Sequence, residues 1–426
     1  MRFARTGLSS RRWVLAISDQ IVSASSNAAN LIVAAFLLSD VDAAGQMMLA
    51  VTIVYFAVNF IRSFVGDVLL VVMPRSATDH DRQELVRNAT TTASAIVLVA
   101  IPAMLLLQLT APAQLNLRYL AWGALVLPAI ALQDVGRYVA FSTNSPAKAL
   151  QIDIIWVAVQ AMLVGLLTIT GRVTAATLIL AWGAGALIGA IVWLAAHRLN
   201  PLRGSPMSWL SVSKGLSGWF SATSVIGQIQ VQILAMGISG VGGPSAFAQF
   251  RLAQVAILAP AQNAGMAAMS VLTPRSSRLS ERCDVDAIRT QTRQSIIAIS
   301  LVAVPALALL CVLARPLLRA YLPSYLPAAA LAIPMAIYAY LYVIQAPYNS
   351  AFRGMLSGER VFGYGLASSL FAVGGFSIGI WFGGVVGACW GLASALALST
   401  LLAHLIHRRS VVRLGSPTEL LRKSSP

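Results

Sequence analysis

Charge is what this chain has least of. Only 10% of its 426 residues are charged, where a soluble domain carries about 25%. A mean hydropathy of +0.77 goes with that shortage. Together they exclude a protein whose surface faces mainly water. Acidic residues are scarcest, 14 against 30 Lys+Arg, and lysine occurs only at Lys148, Lys214 and Lys423. Cysteine is limited to Cys283, Cys311 and Cys389, odd in number and far apart, which excludes a disulfide framework or a cysteine metal site. His80, His197, His404 and His407 show no metal-ligand spacing. There is no phosphate-binding P-loop, so ATP is not the direct energy source. Alternating strands of about 10 residues, the mark of a membrane β-barrel, are missing too.

What is present is a succession of long apolar runs. A bilayer core takes roughly 20 apolar residues per helix. Such runs occupy residues 13–39, 46–73, 89–109, 119–141, 150–170, 174–196, 216–238, 246–272, 295–313, 328–351, 362–382 and 385–406. They predict an all-α, multi-pass membrane protein of about twelve transmembrane helices, which leaves no room for a separate soluble domain. The basic start, Arg2 to Arg12, leads into a long run without a cleavage site and is expected to be an uncleaved first helix.

Basic residues sort by side. With the N-terminus cytoplasmic, 23 of the 30 Lys+Arg fall on the inner side. Arg118, Arg172, Arg315 and Arg319 fall outside, and Arg62, Arg137 and Arg251 lie within spans. Membrane insertion keeps Lys and Arg on the cytoplasmic side. An even helix count with both termini in the cytoplasm of a plasma-membrane protein follows. The net charge of +16 is thereby explained without nucleic acid as a partner. Residues 39–45, 240–245 and 383–384 form outer turns too short to house an active site, which argues against a membrane enzyme. Asp40-Val41-Asp42, a DxD in the first of them, is read as a polar turn. Gly383, Gly387 and Gly391, like Gly185 and Gly189, have the spacing of close helix packing.

The chain repeats near its middle. Met73-Pro74-Arg75 and Thr273-Pro274-Arg275 each end an apolar run before a basic inner loop, and the next run carries Pro102 or Pro305. Residues 144–148 resemble 357–360. The repeat predicts two six-helix lobes, residues 1–208 and 209–426. They would be related by a pseudo-two-fold along the membrane normal, because an even number of crossings preserves orientation. The first helix of each lobe carries a polar stripe: Asp19, Ser23, Asn27 and Asn30 in one, Ser217, Ser221, Ser224, Gln228 and Gln232 in the other. Amides are costly against lipid, so both stripes are expected to line a central cavity, with Asn27, Asn30, Gln228 and Gln232 as substrate-facing groups.

These residues resemble a family. Ser18-Asp19-Gln20 with residues 23–30, Arg62 with Gly66-Asp67 and the Pro74-Arg75 exit, residues 131–134 leading to Arg137-Tyr138, and residues 250–254 with Pro260 are similar to the bacterial polysaccharide flippases of the MATE/MOP transporter superfamily. The resemblance covers most of the chain and rests on layout, order and length together. It implies transport of a lipid-diphosphate-linked oligosaccharide between leaflets by alternating access, for envelope polysaccharide synthesis. Glycosyltransferases or a polymerase of the same pathway would be partners. The drug-exporting MATE branch, driven by a cation, shares the layout and is the alternative. A structural partner of a polysaccharide-assembly complex is the reading from another class. No cofactor is expected beyond a proton or sodium ion.

Charged groups inside a membrane cost several kcal/mol unless paired or hydrated. Asp19, Asp67, Asp134 and Arg137 are therefore ion-coupling candidates, with an ion-pair network as the structural alternative. Arg62 and Arg251 are candidates for the diphosphate, because a guanidinium donates in pairs and keeps its charge.

The charge asymmetry makes a direct prediction. Single cysteines placed near Arg12, in residues 203–214 and after Arg413 should be protected from membrane-impermeant thiol reagents in intact cells and labelled after lysis. Labelling of any two of the three in intact cells would overturn the scheme.

Overall fold

The computed structural model describes residues 31–73, 78–143, 145–213, 216–355 and 358–414. Among them the chain is helical, without strands. Contacts divide it into two units, Met1–Ala248 and Gln249–Pro426.

The first unit begins, within the described residues, with the end of a helix at 31–37 (α1). Then come α2 (Val41–Ile61), one π-helical turn (Arg62–Gly66) and α3 (Asp67–Val72), which form one continuous rod. After it come α4 (Asp79–Thr110), α5 (Leu120–Ser142), α6 (Pro146–Ile169), α7 (Ala175–Ala196), the short α8 (Pro206–Ser213) and most of α9 (Leu216–Ala253). Sequence sets these boundaries. Thr78 and Asp81 form a reciprocal capping box at the start of α4, and Thr174 and Thr177 one at α7, each satisfying amides a helix start leaves open. Pro146 opens α6 at a position where its missing N–H costs nothing.

Burial separates the helices by role. The rod, α5 and α7 are mostly buried, whereas α4 and α6 present mostly exposed apolar surface, among it Leu98, Leu106, Met162 and Leu166. Hydrophobic all round but buried on one side only is how a lipid-facing helix reads. The buried helices interlock through glycine. At Gly185 a Cβ would run into the Trp156 ring and carbonyl, and Trp156 Nε1 donates to the Trp182 carbonyl at 3.0 Å. The loop before α8 is fastened to α4: Gly204 N donates to Thr91 Oγ1 and Ser205 N to Asn88 Oδ1, both at 2.8 Å. Those bonds account for the buried polar pair Asn88 and Thr91.

In the second unit a π-helical turn (Gln254–Leu258) continues α9 into α10 (Ala259–Glu281). It is followed by α11 (Val285–Tyr321), a 3₁₀ segment (Pro323–Leu331), α12 (Ala332–Met355) and α13 (Gly358–Leu414). The helical path breaks at Gly243 in α9 and at Gly383 and Gly384 in α13. Gly243 has φ 79° and Gly384 φ 56°, a region glycine enters without a Cβ penalty. The arms of α13 then meet backbone to backbone. A Cβ on Gly379 would overlap the Gly387 carbonyl, and one on Gly391 that of Gly375. Gly387 and Gly391 thus pack as their spacing predicts, while Gly383 belongs to the turn.

Nine helices of the described residues are long and apolar enough to cross a membrane. Two of these, Ser224–Met266 and Phe362–Val411, are each a pair joined across those glycine breaks. With α1 at the end of the first predicted span, the expected multi-pass, all-α architecture is observed. Two details differ. Several helices outrun their apolar stretches: α4 starts at Asp79 and α11 at Val285, because hydropathy marks the membrane-embedded part and not the polar turns beyond it. The division by contacts falls inside α9 rather than at residue 208, since α9 is tied to α2: Gln232 Nε2 donates to the Thr52 carbonyl at 2.9 Å, and Ser245 N to Asp42 Oδ1 at 3.0 Å.

Candidate transport site

The π-helical turn in the first unit organises the charges. A widened turn replaces the usual bond with one across five residues, here from Asp67 N–H to the Arg62 carbonyl. The local chemistry supports it. The Ser63 hydroxyl donates to the carbonyls of Asn59 and Phe60, both at 3.0 Å. Trp209 of α8, fully buried, donates from Nε1 to the Phe64 carbonyl at 3.4 Å. Gly66 leaves room for the Tyr138 ring, which a Cβ there would strike. Inserting one residue's worth of turn places Arg62 and Asp67 at its two ends, both aimed towards α5.

Arg62 grips Asp134 of α5 with two bonds, Nε to Oδ2 at 2.7 Å and Nη2 to Oδ1 at 2.9 Å. A fork-on-carboxylate pair of this kind is about twice as strong as a neutral hydrogen bond. Arg62 Nη1 also donates to Asn59 Oδ1 at 3.2 Å. Arg137, one turn along α5, reaches Asp134 Oδ1 at 3.3 Å and, through Nε, Asp153 Oδ1 of α6 at 3.0 Å. Gln133 Nε2 adds a bond to Asp153 at 2.7 Å. The Asp134 and Asp153 side chains are 3% and 0% exposed, whereas that of Arg62 is 28% exposed. Asp67 lies in the field of both Arg62 and Asp134 and is hydrogen-bonded to Tyr138.

This cluster joins α3, α5, α6 and the π turn. Among its described members the acids, Asp67, Asp134 and Asp153, outnumber the bases, Arg62 and Arg137. Asp134 and Asp153 are bound into the chain of pairs, which leaves Asp67 as the carboxylate in excess. Arg62, expected as a diphosphate candidate, is engaged with Asp134 in this structure. Its fork faces Asp134, because the π turn brings it over α5. Asp153 and Tyr138 join the site without having been singled out for it. Asp153 starts an apolar run, where a lone carboxylate within reach of Gln133 and Arg137 is the signal.

The second unit repeats the motif. Its π turn, with Ala259 N–H bonded to the Gln254 carbonyl, begins three residues after Arg251. Arg251 Nη1 donates to Gln254 Oε1 at 2.9 Å. Each half therefore carries an arginine at a π turn in its second predicted span. Of the polar stripes, Gln228 and Gln232 are partly buried on α9, Gln232 spending its amide on Thr52. Asp19, Asn27 and Asn30 lie outside the described residues. Asp40 of the DxD caps α2 by accepting from Asp42 N at 2.9 Å. Among the described residues no group of three or more His, Cys, Asp or Glu could hold a metal ion. Beside the π turn the first unit has an apolar cleft of about 670 Å³ between α2, α4, α8 and α9, lined by Phe56, Phe60, Phe64, Ile96, Val99 and Leu210 among others.

The network predicts unequal costs. Asp134→Asn leaves two guanidinium groups without their shared partner, and breaking a buried pair costs about 3–5 kcal/mol. Asp67→Asn removes the excess carboxylate and should leave the thermal midpoint in detergent within a few degrees of wild type. Equal destabilisation by both substitutions would contradict this assignment of partners.

Residues 119–329 match the family described as polysaccharide biosynthesis protein, a segment that contains Asp134, Arg137, Asp153 and Arg251. No curated protein matches the sequence significantly. Solved structures share the fold at low identity. An inward-facing multidrug resistance MATE-family transporter of the MOP superfamily superposes with a TM-score of 0.73 at 14% identity, over 96% of each chain. A MOP superfamily transporter from Pyrococcus furiosus, described as having a binding pocket of reversed polarity, gives 0.63 at 13% identity over 95% of each. An outward-facing multidrug resistance MATE-family transporter gives 0.62 at 14% identity over 94% of each. Residues 119–329 are thus similar to the polysaccharide biosynthesis family, and the multi-pass helical fold is the one seen in these MOP-superfamily structures.

Proposed function

We propose that the chain moves a lipid-diphosphate-linked oligosaccharide across the plasma membrane by alternating access, coupled to a proton or sodium ion at Asp67. The observation that carries the reading is the buried charge cluster around the first π turn, with its carboxylate in excess, in a chain whose residues 119–329 match the polysaccharide biosynthesis family. A half-buried excess carboxylate in a membrane-spanning helix is unfavourable without a cation or water. A cation arriving at Asp67 changes the field on the neighbouring Arg62–Asp134 pair, and through it the packing of the rod against α5. That is a two-state element whose balance an ion can bias.

The substrate's parts find matching chemistry. A diphosphate needs fixed cations inside the membrane; with Arg62 committed to Asp134, Arg251 takes the leading role and Arg62 the supporting one. Asn27, Asn30, Gln228 and Gln232 supply amides for sugar hydroxyls. The cleft edged by Phe60 and Phe64 suits a prenyl chain. Both termini face the cytoplasm in this scheme, and glycosyltransferases or a polymerase of the pathway supply and consume the cargo.

The same excess of negative charge also favours the second reading, a cation-coupled exporter of organic cations, which need no arginine. Purified protein in proteoliposomes separates the two. Labelled polyprenyl-diphosphate oligosaccharide should change leaflet faster under an imposed ion gradient. Asp67→Asn should abolish the gradient dependence, and Arg251→Ala should slow flipping at least ten-fold, in line with losing about 1.4 kcal/mol or more of charge-assisted binding. Gradient-driven ethidium transport with no flipping of the oligosaccharide would replace the first reading with the second.

A further inference from the structure

The second unit holds a basic cavity that the transport scheme does not use. It measures about 620 Å³ and lies between the start of α11, the middle of α12 and the end of α13. Arg289 and Arg293, one turn apart on α11, line it together with Arg408, His404 and His407 of α13. Tyr348 of α12 forms part of its wall. The interior is built rather than incidental. Tyr348 Oη lies 3.2 Å from His404 Nδ1, and its ring meets that of His407 edge-on at 5.6 Å. His407 is only 6% exposed, and its Nδ1 has no hydrogen-bond partner among the described residues. Buried polar nitrogens normally have one. The nearby acid is Asp286, exposed, at 3.9 Å from Arg289; among the described residues no carboxylate pairs with Arg293 or Arg408.

The cavity's surroundings are equally specific. One turn further along α11 from Arg293 come Ile297 and then Leu301, and one turn back along α13 from Arg408 come Leu405 and Leu401. All four are exposed and apolar. A cationic recess thus opens onto two apolar ridges that run into the membrane. An anion with a hydrocarbon chain attached satisfies both halves, whereas a free anion satisfies only the first. Basic pockets between transmembrane helices at the cytoplasmic edge are where lipid phosphates bind, and positive-inside sorting puts the loop containing Arg289 and Arg293 on that side.

We propose that this cavity binds the phosphate headgroup of a membrane lipid, with Arg289, Arg293 and Arg408 around the phosphate, His407 beneath it, and the chain along α11 and α13. The bound lipid would be a resident of the second unit.

The test uses the full-length protein in uncharged detergent. Retained lipid is counted by native mass spectrometry after addition of phosphatidylglycerol, phosphatidylcholine or a polyprenyl diphosphate. Inorganic phosphate is assayed by thermal shift. Wild type should retain phosphatidylglycerol or the polyprenyl diphosphate over phosphatidylcholine by roughly ten-fold, given the affinity each basic side chain adds near an anionic headgroup. Whichever of the two is retained more strongly assigns the source as bulk phospholipid or lipid carrier. The Arg293→Gln, Arg408→Gln double variant should lose that preference while keeping its thermal midpoint in phosphatidylcholine. Arg409→Gln, a neighbouring charge outside the cavity, should keep the preference. Equal retention of phosphatidylcholine by wild type overturns the proposal whatever the variants do. So does an equal loss with Arg409→Gln, which would mean bulk electrostatics, or stabilisation by inorganic phosphate matching that by lipid.

Discussion

The fork of Arg62 closed on Asp134 inside an apolar bundle is the interaction on which the first unit turns. Neither charge is tolerable alone at that depth, so each fixes the other, and the helices carrying them follow. The π turn exists at the position where the fork must reach α5. Its freed carbonyls are taken up by Ser63 and Trp209, which brings α8 down onto the same spot. Arg137 then extends the pairing to Asp153 on α6. One electrostatic requirement thus sets a helical irregularity, the seating of a short helix and the packing of α5 and α6.

The corresponding irregularity in the second unit, beside Arg251, gives the internal repeat a structural meaning. The two halves share little sequence, yet each interrupts its second span with a π turn next to an arginine. Widened turns inside otherwise regular helices persist where side chains must be aimed. The basic cavity between α11, α12 and α13 is a different kind of site. It sits where the helices end, its one recorded acid contact among the described residues is that of Arg289 with exposed Asp286, and it suits a lipid that stays.

Much of this was readable from the sequence, for physical reasons. Apolar runs and the scarcity of charge gave the helices and the membrane, because hydropathy is the dominant constraint in lipid. Gly387 and Gly391 announced close packing, because only small residues allow it. Arg62, Asp134 and Arg137 drew attention as charges out of place. Partners were harder to read. Arg62 meets Asp134 across 72 positions rather than Asp67 nearby, because a π turn rotates everything after it and leaves no periodicity to detect. The eight residues of α8 are too few to show a pattern. His404 and His407 showed no metal-ligand spacing, and only the fold brings Arg289 and Arg293 alongside them.

The central claim is that an ion, held by the carboxylate the first-unit network leaves in excess, drives movement of a lipid-linked cargo. The most direct test is stoichiometry. Flux of protons or sodium ions and transfer of labelled lipid-linked oligosaccharide would be recorded together in the same proteoliposomes. The account predicts a fixed ratio near one cation per cargo molecule, with the cation flux vanishing when cargo is withheld. Cargo transfer at the full rate with no accompanying cation flux would contradict it.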